Sequence, residues 1–372
     1  MNTLDTADFQ GKRVLCRLDF DVPIDQSGLV TDDNRIVSAL PTLHAILEQN
    51  PGHIIILAHR GQPKMGDRTL TLKPIADYLC TQLPGNSAER AHVYAENFVR
   101  DLPLFQLSDR VFLLENIRFL PGEESNDPAL ATELAQKGEV FVFEAFATAH
   151  RNHASTAGVC KLLPSVIGLM VAKELEHLTA IRDNPEHPYI VVIGGAKIED
   201  KLPAIETMAE HADQFLIGGG VANTFLKAQG RDVKASLINE DELETARELL
   251  HTLGDKIVLP TDHVWDGEAI VDIGPSSIMQ FEDHLTDART VFWNGSLGKT
   301  EEKEWSRGTL AIADILARSP HIMRVVAGGD TVGFLDQHGL AKHMNFVSTG
   351  GGATLEYLAG QTLPALQALG IQ

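Results

Sequence analysis

The sequence predicts an α/β fold of two Rossmann-like domains, each a parallel sheet flanked by helices, joined by a hinge helix. Three observations predict it. Five short apolar runs in the second half stop abruptly in glycines and polar residues, as buried parallel strands do at a carboxyl-end loop. They are Val191-Val192-Ile193-Gly194-Gly195-Ala196-Lys197, Phe215-Leu216-Ile217-Gly218-Gly219-Gly220, Val291-Phe292-Trp293-Asn294-Gly295, Val325-Val326-Ala327-Gly328-Gly329-Asp330-Thr331 and Phe346-Val347-Ser348-Thr349-Gly350-Gly351-Gly352. The first half alternates strand candidates with helical stretches, which argues for a sheet wrapped by helices. Between the halves lies a segment of helical periodicity with few breakers.

In order along the chain, the first-half strands are expected at residues 14–20, 53–59, 111–116 and 140–146, with helices at 35–48 and 72–82. Residues 164–183 read as the connecting helix, stopped by Asp183-Asn184-Pro185-Glu186-His187-Pro188. The expected division is 1–165 for the first domain, 166–186 for the hinge and 187–354 for the second, with 355–372 packing back onto the first.

The chain has 372 residues, 44% hydrophobic and 22% charged, ordinary for a globular protein with two cores. No apolar run approaches the ~18 residues of a membrane span. The polar, acidic Met1-Asn2-Thr3-Leu4-Asp5 is not a secretory signal, so a cytoplasmic location is expected. Cys16, Cys80 and Cys160 are scattered and read as reduced packing residues. A net charge of −20 opposes nucleic acid and anionic membranes as partners.

Ligands of open α/β sheets lie at the strands' carboxyl ends, and glycine lets backbone N–H groups approach a phosphate. Five glycine-rich ends in one half therefore imply a nucleotide site. Lys197 and Lys201, four apart after Gly194-Gly195-Ala196, would share a face of a helix starting there and hold a polyphosphate. A turn with a solvated lysine pair fits the same residues. Asp330, after Gly328-Gly329, suits Mg²⁺ carried on nucleotide phosphates; it also suits a helix cap. Gly218-Gly219-Gly220 offers a flat floor for an adenine ring.

The first half carries cations at its strand ends: Arg35 after Asp19 and Asp21, then His59-Arg60, then Arg118, then His150-Arg151. Each alone fits a surface ion pair, but together they fit a basic pocket for a small phosphorylated acid. Nucleotide groups on one domain and anion-binding groups on the other, facing each other across a hinge, suit phosphoryl transfer, which needs positioning and charge neutralisation.

In this order the motifs resemble phosphoglycerate kinase over nearly the whole chain. The matches include Arg17-Leu18-Asp19-Phe20, Asp33-Asn34-Arg35-Ile36, Glu115-Asn116-Ile117-Arg118-Phe119, Ala149-His150-Arg151-Asn152-His153, the glycine-rich strand ends above and Asp272-Ile273-Gly274-Pro275. The resemblance implies phosphoryl exchange between 1,3-bisphosphoglycerate and MgADP, giving 3-phosphoglycerate and MgATP, by a monomer that closes about its hinge. It places Arg35 and Lys201 at the transferred phosphoryl group and Lys197 on the nucleotide phosphates. Asp330 would engage Mg²⁺, Thr331 N–H a phosphate and Glu301 the ribose. Gly195, Ala196, Gly219, Asn294 and Gly329 would line the nucleotide. Asp19, Asp21, His59, Arg118 and Arg151 would bind the glycerate.

This chain departs from the family pattern at several points. Asp21 replaces an asparagine, adding an anion whose repulsion at about 4 Å is worth a few kcal/mol at intermediate dielectric; it calls for protonation or for Arg60 as partner. Gln62 replaces an arginine, and Phe143 an amide side chain. Ser296 replaces a proline, predicting a looser loop, and Lys299 adds a cation near the nucleotide. These changes leave two other readings open: a nucleotide-binding paralogue with weak or no kinase activity, and a kinase for another phosphorylated carboxylic acid.

Overall fold

The structure is a computed structural model that describes residues 2–64, 66–83 and 90–371. The first unit runs to Leu175 and takes in the chain again from Thr362; the second runs from Glu176 to Gln361. The outermost positions of the expected limits, 1 and 372, lie outside the described residues.

The first unit contains β1 (Arg13–Leu18), α1 (Asn34–Glu48), β2 (His53–Leu57), α2 (Lys73–Gln82), β3 (His92–Val99), β4 (Leu102–Gln106), β5 (Val111–Leu114), α3 (Pro128–Ala135), β6 (Val140–Glu144) and β7 (Ser165–Ile167), followed by α4 (Leu169–Asp183). Its sheet order is β3-β4-β5-β2-β1-β6-β7. The strands from β5 to β7 are parallel. Antiparallel β3 and β4 extend one edge beyond the four strands expected.

The expected connecting helix is part strand. Residues 165–167 pair with β6, and the helix starts only at Leu169. The division between units falls inside α4 rather than at 166 and 187, because Glu144 at the end of β6 binds the helix's first turn. Its carboxylate accepts from Met170 N (2.8 Å), Val171 N (3.1 Å) and the Thr42 hydroxyl. Phe143, beside it, is wholly buried in the core.

The second unit contains β8 (Tyr189–Ile193), α5 (Leu202–Met208), β9 (Gln214–Ile217), α6 (Gly219–Ala228), α7 (Leu243–Leu253), β10 (Ile257–Val258), β11 (His263–Trp265), β12 (Ile270–Ile273), α8 (Pro275–Thr286), β13 (Thr290–Asn294), α9 (Arg307–Ala317), β14 (Met323–Ala327), α10 (Gly329–Gln337), β15 (Phe346–Val347) and α11 (Gly352–Leu358). All five glycine-terminated runs are strands of one sheet, ordered β10-β9-β8-β13-β14-β15 and parallel throughout. A two-stranded antiparallel pair, β11-β12, lies outside it. The helix opened by Gly350-Gly351-Gly352 is followed by α12 (Pro364–Ala368), which belongs with the first unit, where Ala365 N–H donates to Ala149 O at 3.1 Å.

Each unit has its own apolar core. One gathers Val14, Leu18, Ile54, Ile56, Leu79 and Val142; the other gathers Val192, Leu216, Trp293, Ile312 and Val326. The three cysteines are buried and unpaired. Among the described residues no helix is long and apolar enough to cross a membrane.

Candidate active site

In the first unit the carboxyl ends of β5, β2, β1 and β6 are neighbours in the sheet, and they bring the expected cations together. Arg17, near the end of β1, is the buried hub. It is 1% exposed, and its guanidinium donates to the Ser155 hydroxyl (3.1 Å), to Leu18 O and to His59 Nδ1 (3.0 Å). Arginine only donates, so His59 Nδ1 is the acceptor and the ring proton sits on Nε2. Burial pushes the His59 pKa well below its ordinary value, and the fields of Arg17, Arg118, Arg151 and Arg35 push it the same way. His59 is therefore a neutral N–H donor.

Glu123, 1% exposed, supplies counter-charge beneath the cluster. It accepts from the Ser155 hydroxyl (2.5 Å) and backbone N–H (3.0 Å) and lies 3.8 Å from His153. His153 is pushed down to about 3, first by burial and then by Arg118, Arg17 and Arg151, so it too is neutral.

Arg118 sits in a single 3-10 turn whose start is fixed by the Asn116 side chain accepting from its N–H (3.1 Å). Its Nη1 donates to Gly61 O (2.5 Å), and Glu124 stands 3.6 Å from Nε. Nε and Nη2 are buried and make no hydrogen bond among the described residues. Burial, then Arg151 and Arg17, push this guanidinium down to about 10. An under-satisfied buried cation among other cations calls for an anion.

Arg35, in the first turn of α1, is half-buried and held by Asp19 at 2.7 Å. Asp21 is met by Gly61 N–H (2.8 Å) and stands 3.8 Å from His59 Nε2. The expected partner Arg60 instead reaches Thr71 O at 3.4 Å. Gln62 is exposed.

In the second unit the glycine-rich ends form two adjoining recesses. The larger, about 370 Å³, is lined by Gly195, Ala196, Lys197, Lys201, Asn294, Gly329, Asp330 and Thr331. The lysines do not ride on a helix as expected. Residues 194–200 are a loop, and Lys201 is only the cap preceding α5. Gly195 at φ +87° and the close stacking of Gly194 on the Ser296 carbonyl disfavour helix there, while Pro203 favours a first turn one residue before it. Both lysines still line one wall. Lys197 is exposed; Lys201 is buried, and its pKa is lowered first by burial and by Lys197, with Asp200, Asp330 and Glu199 acting against.

Asp330 lies inside the first turn of α10, whose cap position is Gly328. It is exposed, and its carboxylate makes no hydrogen bond or ion pair among the described residues. One free carboxylate beside lysines and glycine N–H groups fits Mg²⁺ that arrives on phosphates, which needs few protein ligands. No cluster of three or more metal-ligating side chains exists among the described residues.

The second recess, about 110 Å³, is lined by Gly219, Gly220, Asn223, Leu237, Asp272, Leu297, Lys299, Glu301 and others. Its 295–298 loop is tied down where a looser one was expected. Ser296 O accepts from Gly195 N (2.6 Å), Leu297 O from Gly219 N (3.1 Å), and Leu297 N donates to Thr309 Oγ1 (3.0 Å). The buried Thr331 hydroxyl accepts from Gly295 N (2.9 Å). Gly295 has φ +96°, and a Cβ there would lie 2.1 Å from Gly194 O, so only glycine fits. Lys299 lies over the Trp305 ring, with Asp266 at 3.8 Å.

Sequence reasoning gave no role to Arg17 or Ser155, which stand within stretches it matched, nor to Glu123. An arginine inside an apolar strand was the available signal for the first. Nothing local marks the others.

Two α/β units, one carrying a buried arginine–histidine cluster and the other a lysine- and glycine-lined phosphate recess, define a phosphotransferase of the small-molecule kinase class. The phosphoglycerate kinase family model matches residues 4–361. Phosphoglycerate kinases of Herpetosiphon aurantiacus and Thermus thermophilus are 42% and 41% identical, each covering 99% of this chain and 98% and 100% of the relative. The solved phosphoglycerate kinases of Coxiella burnetii and Pyrococcus horikoshii superpose with TM-scores of 0.84 and 0.86 at 34% and 30% identity. They cover 99% and 100% of this chain, and 98% and 99% of their own. The chain belongs to the phosphoglycerate kinase family.

Proposed function

We propose that this enzyme transfers a phosphoryl group reversibly between 1,3-bisphosphoglycerate and MgADP, giving 3-phosphoglycerate and MgATP. The observation that carries the acceptor side is Arg118: two buried guanidinium nitrogens without hydrogen bonds among the described residues, in a cluster with Arg17, Arg151 and His59. A doubly anionic phosphate with a carboxylate supplies the charge this cluster lacks. His59 Nε2–H and Arg35 would orient the carboxyl end, with Asp19 holding Arg35 and Asp21 hydrogen-bonding the Gly61 backbone.

On the nucleotide side, Lys197 and the N–H groups of Gly195, Ala196, Gly329 and Thr331 would hold the phosphates. Glu301 would bind the ribose. Mg²⁺ would bind Asp330 and the phosphates, and when bound it would neutralise charge on the transferred group. Lys201, partly desolvated, would follow that group between donor and acceptor oxygens. Arg35 would stabilise its equatorial charge as the two sets of groups converge in the reacting complex.

The retained Arg35 and Lys201 favour the kinase over a nucleotide-binding paralogue, since a binder has no use for a group at the transferring phosphoryl. Supporting a cytoplasmic monomer are the reduced cysteines and the acidic charge. The test is ATP consumption driven by 3-phosphoglycerate in a coupled assay with the wild-type protein. Turnover with this acceptor supports the reading. Tight ATP binding without turnover would replace it with the paralogue, and turnover only with another phosphorylated acid would move the acceptor.

A further inference from the structure

Arg17 is a buried cation on β1, and what aims its guanidinium comes from two distant segments. The Ser155 hydroxyl accepts from Arg17 Nε (3.1 Å) and donates to Glu123 Oε1 (2.5 Å), while Ser155 N–H donates to the other Glu123 oxygen (3.0 Å). The Glu123 carbonyl also takes Ala154 N–H (2.9 Å), so this one residue pins the start of a π-helical turn, Ala154–Gly158. Turns of this kind are rare and often stand at functional sites.

Each bond in the relay has one direction. Arginine only donates, so the Ser155 proton turns to Glu123 and the His59 Nδ1 lone pair turns to Arg17 Nη2 (3.0 Å). The ring proton is left on Nε2, which stands 3.8 Å from the Asp21 carboxylate, too far for a hydrogen bond. Burial pushes the Glu123 carboxyl up and the Arg17 guanidinium down. The Ser155 hydrogen bonds oppose the first shift, and the field between the two charges opposes both.

We propose that Ser155 and Glu123 are positioning residues for the acceptor: together they hold Arg17 where it fixes the His59 tautomer, so that the ring offers a phosphorylated acid an N–H rather than a lone pair. The inference rests on the acceptor reading of this cluster. Both residues are too buried to touch the acceptor and act through Arg17. Without the Ser155 hydroxyl the Arg17 fork loses its Nε partner and is free to turn from Nδ1. The ring can then carry its proton on Nδ1, with the Nε2 lone pair facing the anion.

The experiment records the ¹⁵N shifts of the His59 ring by NMR, which report the nitrogen that carries the proton, with His59→Gln identifying the signals. It also titrates 3-phosphoglycerate and ATP into wild type, Ser155→Ala and Glu123→Gln. In the wild type only Nε2 is expected to be protonated. Ser155→Ala is expected to show mixed tautomers and to bind 3-phosphoglycerate about tenfold more weakly, the scale of one misdirected charge-assisted hydrogen bond, with ATP affinity unchanged. Glu123→Gln offers one acceptor oxygen to two Ser155 donors and is expected to move the same way. The wild-type tautomer needs no variant, and a proton on Nδ1 there would overturn the assignment. So would folded variants that keep the wild-type tautomer, or that lose 3-phosphoglycerate and ATP affinity alike, the mark of general damage. A wild type that does not bind 3-phosphoglycerate would be a different failure, of the acceptor reading itself, and would take the inference with it.

Discussion

Replacing Arg118 with methionine is expected to stabilise the protein while disabling its acceptor site. The guanidinium stands among Arg17 and Arg151, and its pKa falls from 12.5 to about 10. That displacement corresponds to about 3 kcal/mol against the charged form. The sign follows from linkage: a depressed cation is unfavourable at full strength below pH about 10, relieved only between about 10 and 12.5, so the whole cost is present near pH 7. Methionine follows much of the same stem and removes the charge. Gly61 O loses its donor, which returns about 1 kcal/mol. The net gain is about 1–2 kcal/mol, in line with other replacements of buried charge by apolar side chains. Binding moves the other way. Charge-assisted hydrogen bonds are worth about 1.5–3 kcal/mol each, so 3-phosphoglycerate affinity should fall by about 10- to 100-fold. Urea denaturation and calorimetric titration read the two effects. A variant destabilised by more than about 1 kcal/mol would show that Arg118 is a satisfied structural residue, and undiminished affinity would show that the anion binds elsewhere.

Other outcomes follow from the same geometry. Lys201→Ala should lower kcat far more than nucleotide affinity; equal losses would contradict a role confined to the transition state. Gln62→Arg should lower the KM for 3-phosphoglycerate by adding a cation next in the chain to Gly61, whose carbonyl takes the Arg118 guanidinium, and an unchanged KM would mean the phosphate is already fully held. Glu144→Ala leaves Met170 N–H, Val171 N–H and the Thr42 hydroxyl without an acceptor. A loss of about 3 kcal/mol of stability is expected by denaturant melting, and a loss under about 1 kcal/mol would mean water answers those donors.

Five of the six strands of the second sheet were legible because each is largely buried and so reads as an unbroken apolar run ending in glycine or in a residue beside one. Strand β3 was not, because most of its residues are solvent-facing and His92, Glu96 and Asn97 break any run. Strand β7 is only three residues long and merges with the helix beyond it. The start of α5 was misplaced because lysine spacing was weighted over two glycines, whose cost in a helix is larger than the gain from shared-face lysines. At the acceptor site the cations were visible, but their support was not. Arg17 reaches Ser155 across 138 residues, a pairing only the fold creates. Asp21 looked like an unanswered anion; the backbone N–H of Gly61, invisible to residue chemistry, meets it.

The most direct test of the proposed catalysis is the turnover of Arg35→Ala with 3-phosphoglycerate and MgATP, beside its affinity for each. A charge-stabilising group at the transferring phosphoryl predicts a fall in kcat of about a hundredfold or more, with both substrates still bound within about tenfold of wild type. Unaltered kcat, or a loss appearing entirely in KM, would place Arg35 outside the chemistry.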